Sequence, residues 1–306
     1  MKRIALSLFF FVCCGCGTGG SSGGGAVALP SAGLGPYVWT DITVGNEKAP
    51  FGPEYGAPYA IGVDGEVWLY LRHCADATGC RIMMAKSTDG LHFDSPQVIA
   101  THPMGLDHPV VLKENDKIKL FAMSSARDAV LEFTGSKTGE FRFKRLLPIP
   151  SVTAPLLELS VVELGARQMF LFNTTAAPTE WRVFHDDDES VTAFVSELCG
   201  SACELSSWPS LVSFKLARSD RGRAILRALA VTDNNSGDNE LNVYGSFDGY
   251  TWHAYENNPV LSTPADINRL TMATDSRRFF IYAELDTQER TIRGAIHESG
   301  VPSIIY

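Results

Sequence analysis

No stretch of this sequence repeats apolar residues at helical spacing for more than two turns, so a helical bundle or a doubly wound α/β fold is excluded. Glycine-rich phosphate loops and a nucleophile elbow are also missing, which leaves nucleotide binding and serine-hydrolase chemistry without support. The seven histidines show no pairing at metal-ligand spacing. Positive charge is scarce. Lys and Arg total 26 against 35 Asp and Glu, a net charge of −9, which argues against polyanionic partners such as nucleic acid. From Gly17 to Pro36 there is no charge at all and little beyond Gly, Ser, Ala and Pro. Such a stretch buries too little apolar surface to order itself and reads as a flexible tether. Against these absences stands an apolar fraction of 45%, ample for a large core.

Lys2 and Arg3 precede a nearly unbroken apolar run from Ile4 to Val12. The run is too short to cross a bilayer and has the order of an export signal. The following Cys13-Cys14-Gly15-Cys16 resembles the cleavage site of bacterial lipoproteins, with Cys13 where that family usually carries Leu. The resemblance implies that Cys16 becomes the acylated first residue of an exported, membrane-anchored protein of the cell envelope. The chain then divides into a signal peptide (1–15), a Gly/Ser-rich tether (16–36) and one large domain (37–306). Loss of Lys2 and Arg3 takes the net charge to about −11.

Four cysteines remain in the domain: Cys74, Cys80, Cys199 and Cys203. Their two close pairs are expected as short-range disulfides in an oxidising compartment. The rival reading, a four-cysteine metal site, fits zinc-ribbon spacing poorly, so no metal or cofactor is expected.

The domain is repetitive. Pro58-Tyr59-Ala60-Ile61, Pro109-Val110-Val111-Leu112, Pro155-Leu156-Leu157, Pro209-Ser210-Leu211-Val212 and Ile267-Asn268-Arg269-Leu270 each open a short apolar run. Each run leads through a turn into a second run rich in aromatic and branched residues, such as Val67-Trp68-Leu69-Tyr70-Leu71 or Phe279-Phe280-Ile281-Tyr282. A second motif recurs in phase: Ser87-Thr88-Asp89-Gly90-Leu91-His92-Phe93 and Ser246-Phe247-Asp248-Gly249-Tyr250-Thr251-Trp252, with a degraded copy from Ser136 to Phe141. Asp-Gly makes the turn, and the Ser and Asp side chains satisfy its backbone. Five units at a period of about 50 residues predict an all-β, five-bladed β-propeller with four antiparallel strands per blade. On this map Cys74 and Cys80 close the hairpin between the second and third strands of blade 1. Cys199 and Cys203 staple the link from blade 3 to blade 4. Val301 to Tyr306 supplies the fourth strand of the last blade, and Val38 to Ile42 adds a further one.

The Ser-x-Asp-Gly turn resembles the Asp-box of sialidase-type propellers. Trp252 to Leu261 resembles the closing phrase of the five-bladed glycoside-hydrolase superfamily of arabinanases, xylosidases and invertase-like enzymes. That resemblance implies a carbohydrate ligand at the central channel, where the first strands of the blades begin. Glu54, Tyr55, Asp107, His108, Trp208, Asp266 and Arg269 fall there. Hydrolysis of a glycosidic bond needs two facing carboxyl groups. Asp107 and Asp266, with Glu54 third, are the catalytic candidates, and Tyr55, His108, Trp208 and Arg269 the ligand-binding ones. An Asp before a strand also serves as a turn cap, and Arg269 is satisfied without ligand by pairing with Asp266 or Asp107. If the chain is a hydrolase, Asp107→Asn is expected to abolish turnover and leave stability nearly unchanged.

The sequence departs from the family where its acids commonly stand. Ala57 precedes Pro58, Ala154 precedes Pro155, and no Glu adjoins Pro209. The expectation is therefore a lipid-anchored propeller that binds a glycan or other envelope ligand without catalysis, with a glycoside hydrolase as the alternative. Two acidic runs, His185 to Glu189 and Asp233 to Glu240, read as solvated turns before calcium loops.

Overall fold

The structure is a computed structural model. It describes residues 39–297 apart from 76–78, 115–116, 138–139, 148, 150–153, 165–166, 186–191, 194–210, 219–225, 235–237, 247–252, 255–258, 260, 264–265, 275–277 and 287–290. Trp208, Cys16, Cys199, Cys203 and the segment 301–306 lie outside the described residues, as does most of the His185 to Glu189 run.

The described chain is all β. Among the described residues there is no helix, and the strands form six antiparallel or mixed sheets. Five of these sheets each begin where one of the apolar runs begins. Their first strands are Tyr55–Val63, Leu106–Glu114, Leu156–Leu164, Leu211–Arg218 and Asp266–Thr274. Each pairs antiparallel with the apolar strand that follows it in sequence: Glu66–His73, Lys117–Ser124, Arg167–Thr174, Leu226–Asn234 and Phe279–Asp286. The polar loop from Asp233 to Glu240 is the hairpin between Leu226–Asn234 and Asp238–Ser246, which pair out to Asn234 and Asp238.

The first strands lie against one another in succession: first on second, second on third, third on fourth, fourth on fifth, and fifth on first. Alternation is weak in them. Leu106–Glu114 is buried at its first six positions, because a strand flanked by sheets on both faces has no solvent side. The core follows the same ring. Tyr70, Phe121, Phe133, Phe170 and Phe172 fill the contacts among the first three sheets, and Phe280 and Tyr282 fill those between the fifth and the first.

The strand expected from 301–306 lies outside the described residues, while the one expected between Val38 and Ile42 does join the fifth sheet. The fourth strand of the fifth sheet is Thr40–Asp41, which pairs with Thr291–His297 through Thr40–Gly294 and Asp41–Arg293. The next residues then change sheets. Ile42 is fully buried beside Phe93, Phe280 and Tyr282, and Thr43–Val44 runs parallel to His92–Phe93 of the first sheet's turn. Residues 40–44 therefore stitch the fifth sheet to the first. The apolar Ile42 between polar neighbours fixes the register, since a one-residue slip would expose it.

The Ser87–Phe93 turn sits at this seam. Ser87 Oγ accepts from the N–H groups of Asp89 and Gly90, and Asp89 Oδ1 accepts from those of Leu91 and His92. Four turn donors are thus satisfied by two side chains, as the motif predicts. Arg278 Nη1 and Nη2 donate to the carbonyls of Asp89 and Thr88, and the Tyr282 hydroxyl donates to that of Gly90. All three donors come from Phe279–Asp286 of the fifth sheet or the residue that precedes it.

Cys74 and Cys80 form a disulfide across the hairpin between Glu66–His73 and Arg81–Ser87, as expected. The sequence separation is 6 residues, so the loop-entropy account gives it about 2 kcal/mol. The Cys74→Ser, Cys80→Ser double variant is expected to lose that amount in urea unfolding. A loss near zero would show that strand pairing alone fixes the hairpin.

Candidate functional site

Every first strand carries a β-bulge close to its head, at Gly56–Tyr59, opposite Phe121–Met123, and at Leu156–Glu158, Leu211–Ser213 and Asn268–Leu270. A bulge adds one residue against the partner strand and re-aims the side chains around it. Ala57, His108 and Arg269 occupy three of these bulges with φ of 48°, 46° and 51°, a region that non-glycine residues enter at a cost. Repetition of one strained conformation at the same place in three sheets marks the strand heads as the candidate site.

Asp107 and His108 stand at its centre. Asp107 is 5% exposed, and its Oδ2 accepts from Arg127 Nε at 3.2 Å and Nη2 at 3.1 Å. Its Oδ1 accepts from the His108 backbone N–H at 2.9 Å and lies 3.2 Å from His108 Nδ1 and 3.8 Å from Arg72 Nη1. Burial opposes ionisation of this carboxyl, yet its interaction with His108, which is strongest when that ring is protonated, and the Arg72 and Arg127 cations outweigh it and hold it well below the carboxylate range. Asp107 is therefore a permanently ionised acceptor near neutral pH. Its burial under Arg127 also corrects the expectation that Asp107→Asn leaves stability nearly unchanged.

His108 is 2% exposed, and neither ring nitrogen has a hydrogen-bond partner among the described residues. Burial first, then the Arg269 cation, lowers its pKa against the pull of Asp107 and Glu158. The ring is neutral at pH 7. The unfolded histidine, near 6.5, takes up its proton before the folded one. Stability therefore falls as pH drops below about 6.5, by up to about 1.4 kcal/mol per pH unit until the folded ring titrates. Urea unfolding at stepped pH between neutrality and the carboxylate range measures this slope. His108→Asn, which tolerates the same backbone, should flatten it. An unchanged slope would assign the proton to another group.

Arg269 reaches across to the third sheet, where its Nη1 donates to Glu158 Oε1 at 2.9 Å. This corrects the expected partner, Asp266 or Asp107. Glu158 is 2% exposed, and its Oε2 lies 3.9 Å from His108 Nε2. On the other side, Glu284 Oε2 accepts from the Ala57 backbone N–H at 2.8 Å. A β-carbon added at Gly56 would stand 2.3 Å from Arg72 Nη2 and 2.8 Å from Glu284 Oε2. Glycine at position 56 is what lets these two side chains share the strand head. Arg127, Asp107, Arg72 and Glu284 thus line one half of the site. His108, Glu158 and Arg269 line the other.

Tyr55 lies outward of this cluster. Its ring is tilted against His73 at 4.7 Å and edge-on to Phe51 at 5.4 Å, and Arg81 Nε donates to His73 Nδ1. Burial, with the Glu54 carboxylate next, raises the Tyr55 hydroxyl against the Arg81 cation. Glu54 therefore stands at this outer rim. The backbone of Asp266 begins the fifth sheet's first strand opposite Asp286, and its side chain lies outside the described residues.

Comparison with solved structures yields the same architecture. A family 117 glycoside hydrolase of the marine bacterium Zobellia galactanivorans superposes with a TM-score of 0.57 at 13% identity, over 88% of this chain and 92% of that one. The catalytic domain of a Coprinopsis cinerea family 62 α-L-arabinofuranosidase gives 0.56 at 12% identity, over 88% and 98%. A Clostridium thermocellum α-L-arabinofuranosidase gives 0.52 at 14%, over 81% and 94%. The fold is that of the glycoside-hydrolase propellers. At these identities the likeness extends to the fold alone. No family model and no curated protein matches the sequence.

Sequence reasoning placed Asp107, His108 and Arg269 in one cluster, and the structure brings them together. It missed Glu158, Glu284, Arg72 and Arg127. Glu158 sits inside an unbroken apolar run (Leu156, Leu157, Leu159), and that is its available signal: a lone acid there needs a buried cation.

Proposed function

We propose that this chain is a lipid-anchored, exported five-bladed β-propeller that binds a carbohydrate at its channel face and does not hydrolyse it. The cyclic succession of first strands supports ring closure. Supporting a sugar ligand are the glycoside-hydrolase fold and the chemistry of the strand heads. Arg127 with Asp107, Arg269 with Glu158 across two sheets, Arg72 beside Asp107, and Glu284 on the Ala57 N–H offer fixed donors and acceptors of the kind that neutral hydroxyls need, with the Tyr55 ring at the rim. The observation that carries the non-catalytic part is Asp107. Held ionised beneath Arg127, it cannot lend a proton as a general acid, and the first sheet has Gly56 in the place of Asp107 and Ala57 in that of His108, with a carboxylate at neither.

A second reading has its own support. The fold neighbours named above are glycoside hydrolases, and Glu158, Glu284 and Asp266 are carboxylates carried at or beside the same strand heads. One experiment separates the two. The purified full chain is titrated calorimetrically with arabinan, arabinoxylan, agar and galactan oligosaccharides, and each mixture is assayed for new reducing ends. Binding of one class without release, weakened roughly tenfold or more by Arg269→Ala, supports the proposal. Release of sugar that Glu158→Gln abolishes replaces it with hydrolysis.

A further inference from the structure

Exposed large apolar side chains among the described residues are Val98, Met104, Phe143 and Leu146, each 39–47% exposed, and all belong to one region of the surface. Phe143 and Leu146 stand on Phe141–Leu147, the outermost strand of the second sheet. Val98 stands on Gln97–Ala100, the outermost strand of the first, and these two strands lie against each other. His102, two residues from Met104, stacks on Phe143 at 4.8 Å between ring centroids.

The sequence of the second of these strands is Phe-Arg-Phe-Lys-Arg-Leu-Leu, and a bulge sorts it by face. Its partners in the neighbouring strand run Gly135–Phe141, Thr134–Arg142, Phe133–Phe143, Glu132–Arg145 and Leu131–Leu146, with the register shifting between Glu132 and Phe133. Side chains opposite one another share a face. Phe141, Phe143 and Leu146 therefore lie on the face of Leu131 and Phe133, towards the first sheet. Arg142 shares the face of Thr134, and Lys144 and Arg145 both reach Glu132 on that same face, at 2.8 and 2.6 Å. Without the extra residue, strict alternation would put Leu146 on the cationic side. The outcome is an edge strand with Phe141, Phe143 and Leu146 on one face and its three cations on the other. Buried Leu147 pairs with Val130 at the end, and Glu132 offsets one of the three charges, in a chain of net charge −9.

We propose that this edge docks on an anionic lipid surface, with Phe143 and Leu146 at the acyl boundary and Arg142 and Lys144 at the headgroups. Charge complementarity selects this occupant, since anionic headgroups attract cations close to a membrane. The apolar residues discriminate further. Val98, Met104 and Leu146 offer nothing to the hydroxyls of an acidic polysaccharide but gain from hydrocarbon. A second copy of the chain would bring its own excess of negative charge. The inference is independent of what the channel face binds.

Site-specific fluorescence tests it. The full chain carrying Phe143→Trp, and the parent, are reconstituted into vesicles of equimolar phosphatidylglycerol and phosphatidylcholine and into phosphatidylcholine alone. The difference spectrum isolates the added indole. The expected result is a blue shift and quenching by brominated acyl chains in the anionic vesicles. Both should be weaker in the neutral vesicles and reduced when Arg142→Gln and Lys144→Gln are added. Far-ultraviolet circular dichroism checks that each variant keeps its β signature. Equal quenching in both vesicle types would overturn the headgroup contact. The proposal as a whole would be overturned by an unshifted indole, by shielding that follows protein concentration alone, or by a shift produced only by a soluble acidic polysaccharide.

Discussion

Asp107→Ala is expected to lower the unfolding free energy by about 3 kcal/mol, because breaking a buried ion pair leaves the surviving charge uncompensated. Arg127 donates twice to Asp107, and Arg72 stands 3.8 Å away. With the carboxylate gone, two guanidiniums face each other and the neutral His108. Arg127 is 26% exposed, so water compensates part of the loss, which places the figure at the low end of the usual range. Replacing both partners, Asp107→Ala with Arg127→Ala, should recover part of the stability, since the orphaned charge is the main cost. Chemical denaturation of the parent, both single variants and the double variant closes the cycle. Strictly additive losses would mean that the pair contributes no coupling, and the site would then lose its central fixed acceptor.

Gly90→Ala should be comparably damaging, at about 3 kcal/mol, from left-handed backbone strain and overpacking together. Gly90 has φ of 78°, and a β-carbon there would stand 2.2 Å from Phe280 Cε1. Phe280 cannot swing away, since it is fully buried and stacked on Tyr282. Gly65 supplies the control. Its φ is 89°, but an added β-carbon meets nothing within 4 Å, so Gly65→Ala carries strain alone and should cost about 1 kcal/mol. Thermal unfolding of both variants measures the difference. Equal losses would mean that the seam between the first and fifth sheets yields easily.

The strands were legible because their signals are local. Pro109-Val110-Val111-Leu112 followed by Ile118-Lys119-Leu120-Phe121 reads as a hairpin without knowledge of any neighbour, and the structure pairs Val110 with Phe121. The same holds for Cys74 and Cys80, six residues apart across one turn. The ion pairs were not legible, because they join residues far apart in sequence. Arg269 and Glu158 are separated by 111 positions. Their meeting also depends on the bulges at Leu156–Glu158 and Asn268–Leu270, and period-two reasoning carries no trace of a bulge. Asp107 was found for a related reason. It stands two residues before Pro109, and prolines mark strand heads. Glu284 lies in the middle of an aromatic-rich second strand, where nothing in the sequence separates an inward-facing acid from a solvated one. The strand that Val38 to Ile42 adds to the last sheet was legible, but its shortness was not: Thr40–Asp41 is only two residues long and gains its pairing from Thr291–His297 alone.

The stitch at residues 40–44 has a consequence for the order of synthesis. Asp41 leaves the ribosome early, and its partner Arg293 follows about 250 residues later, which at ordinary elongation rates is roughly 12 to 50 seconds. For most of that interval Ile42 has only part of its burial site, since Phe280 and Tyr282 do not yet exist. The first four sheets can pair as they emerge, but the fifth must wait for a segment made at the very start. Folding of this chain is therefore expected to finish after its synthesis, and any factor that shields a nascent apolar segment would have Ile42 and Phe51 to protect for longest.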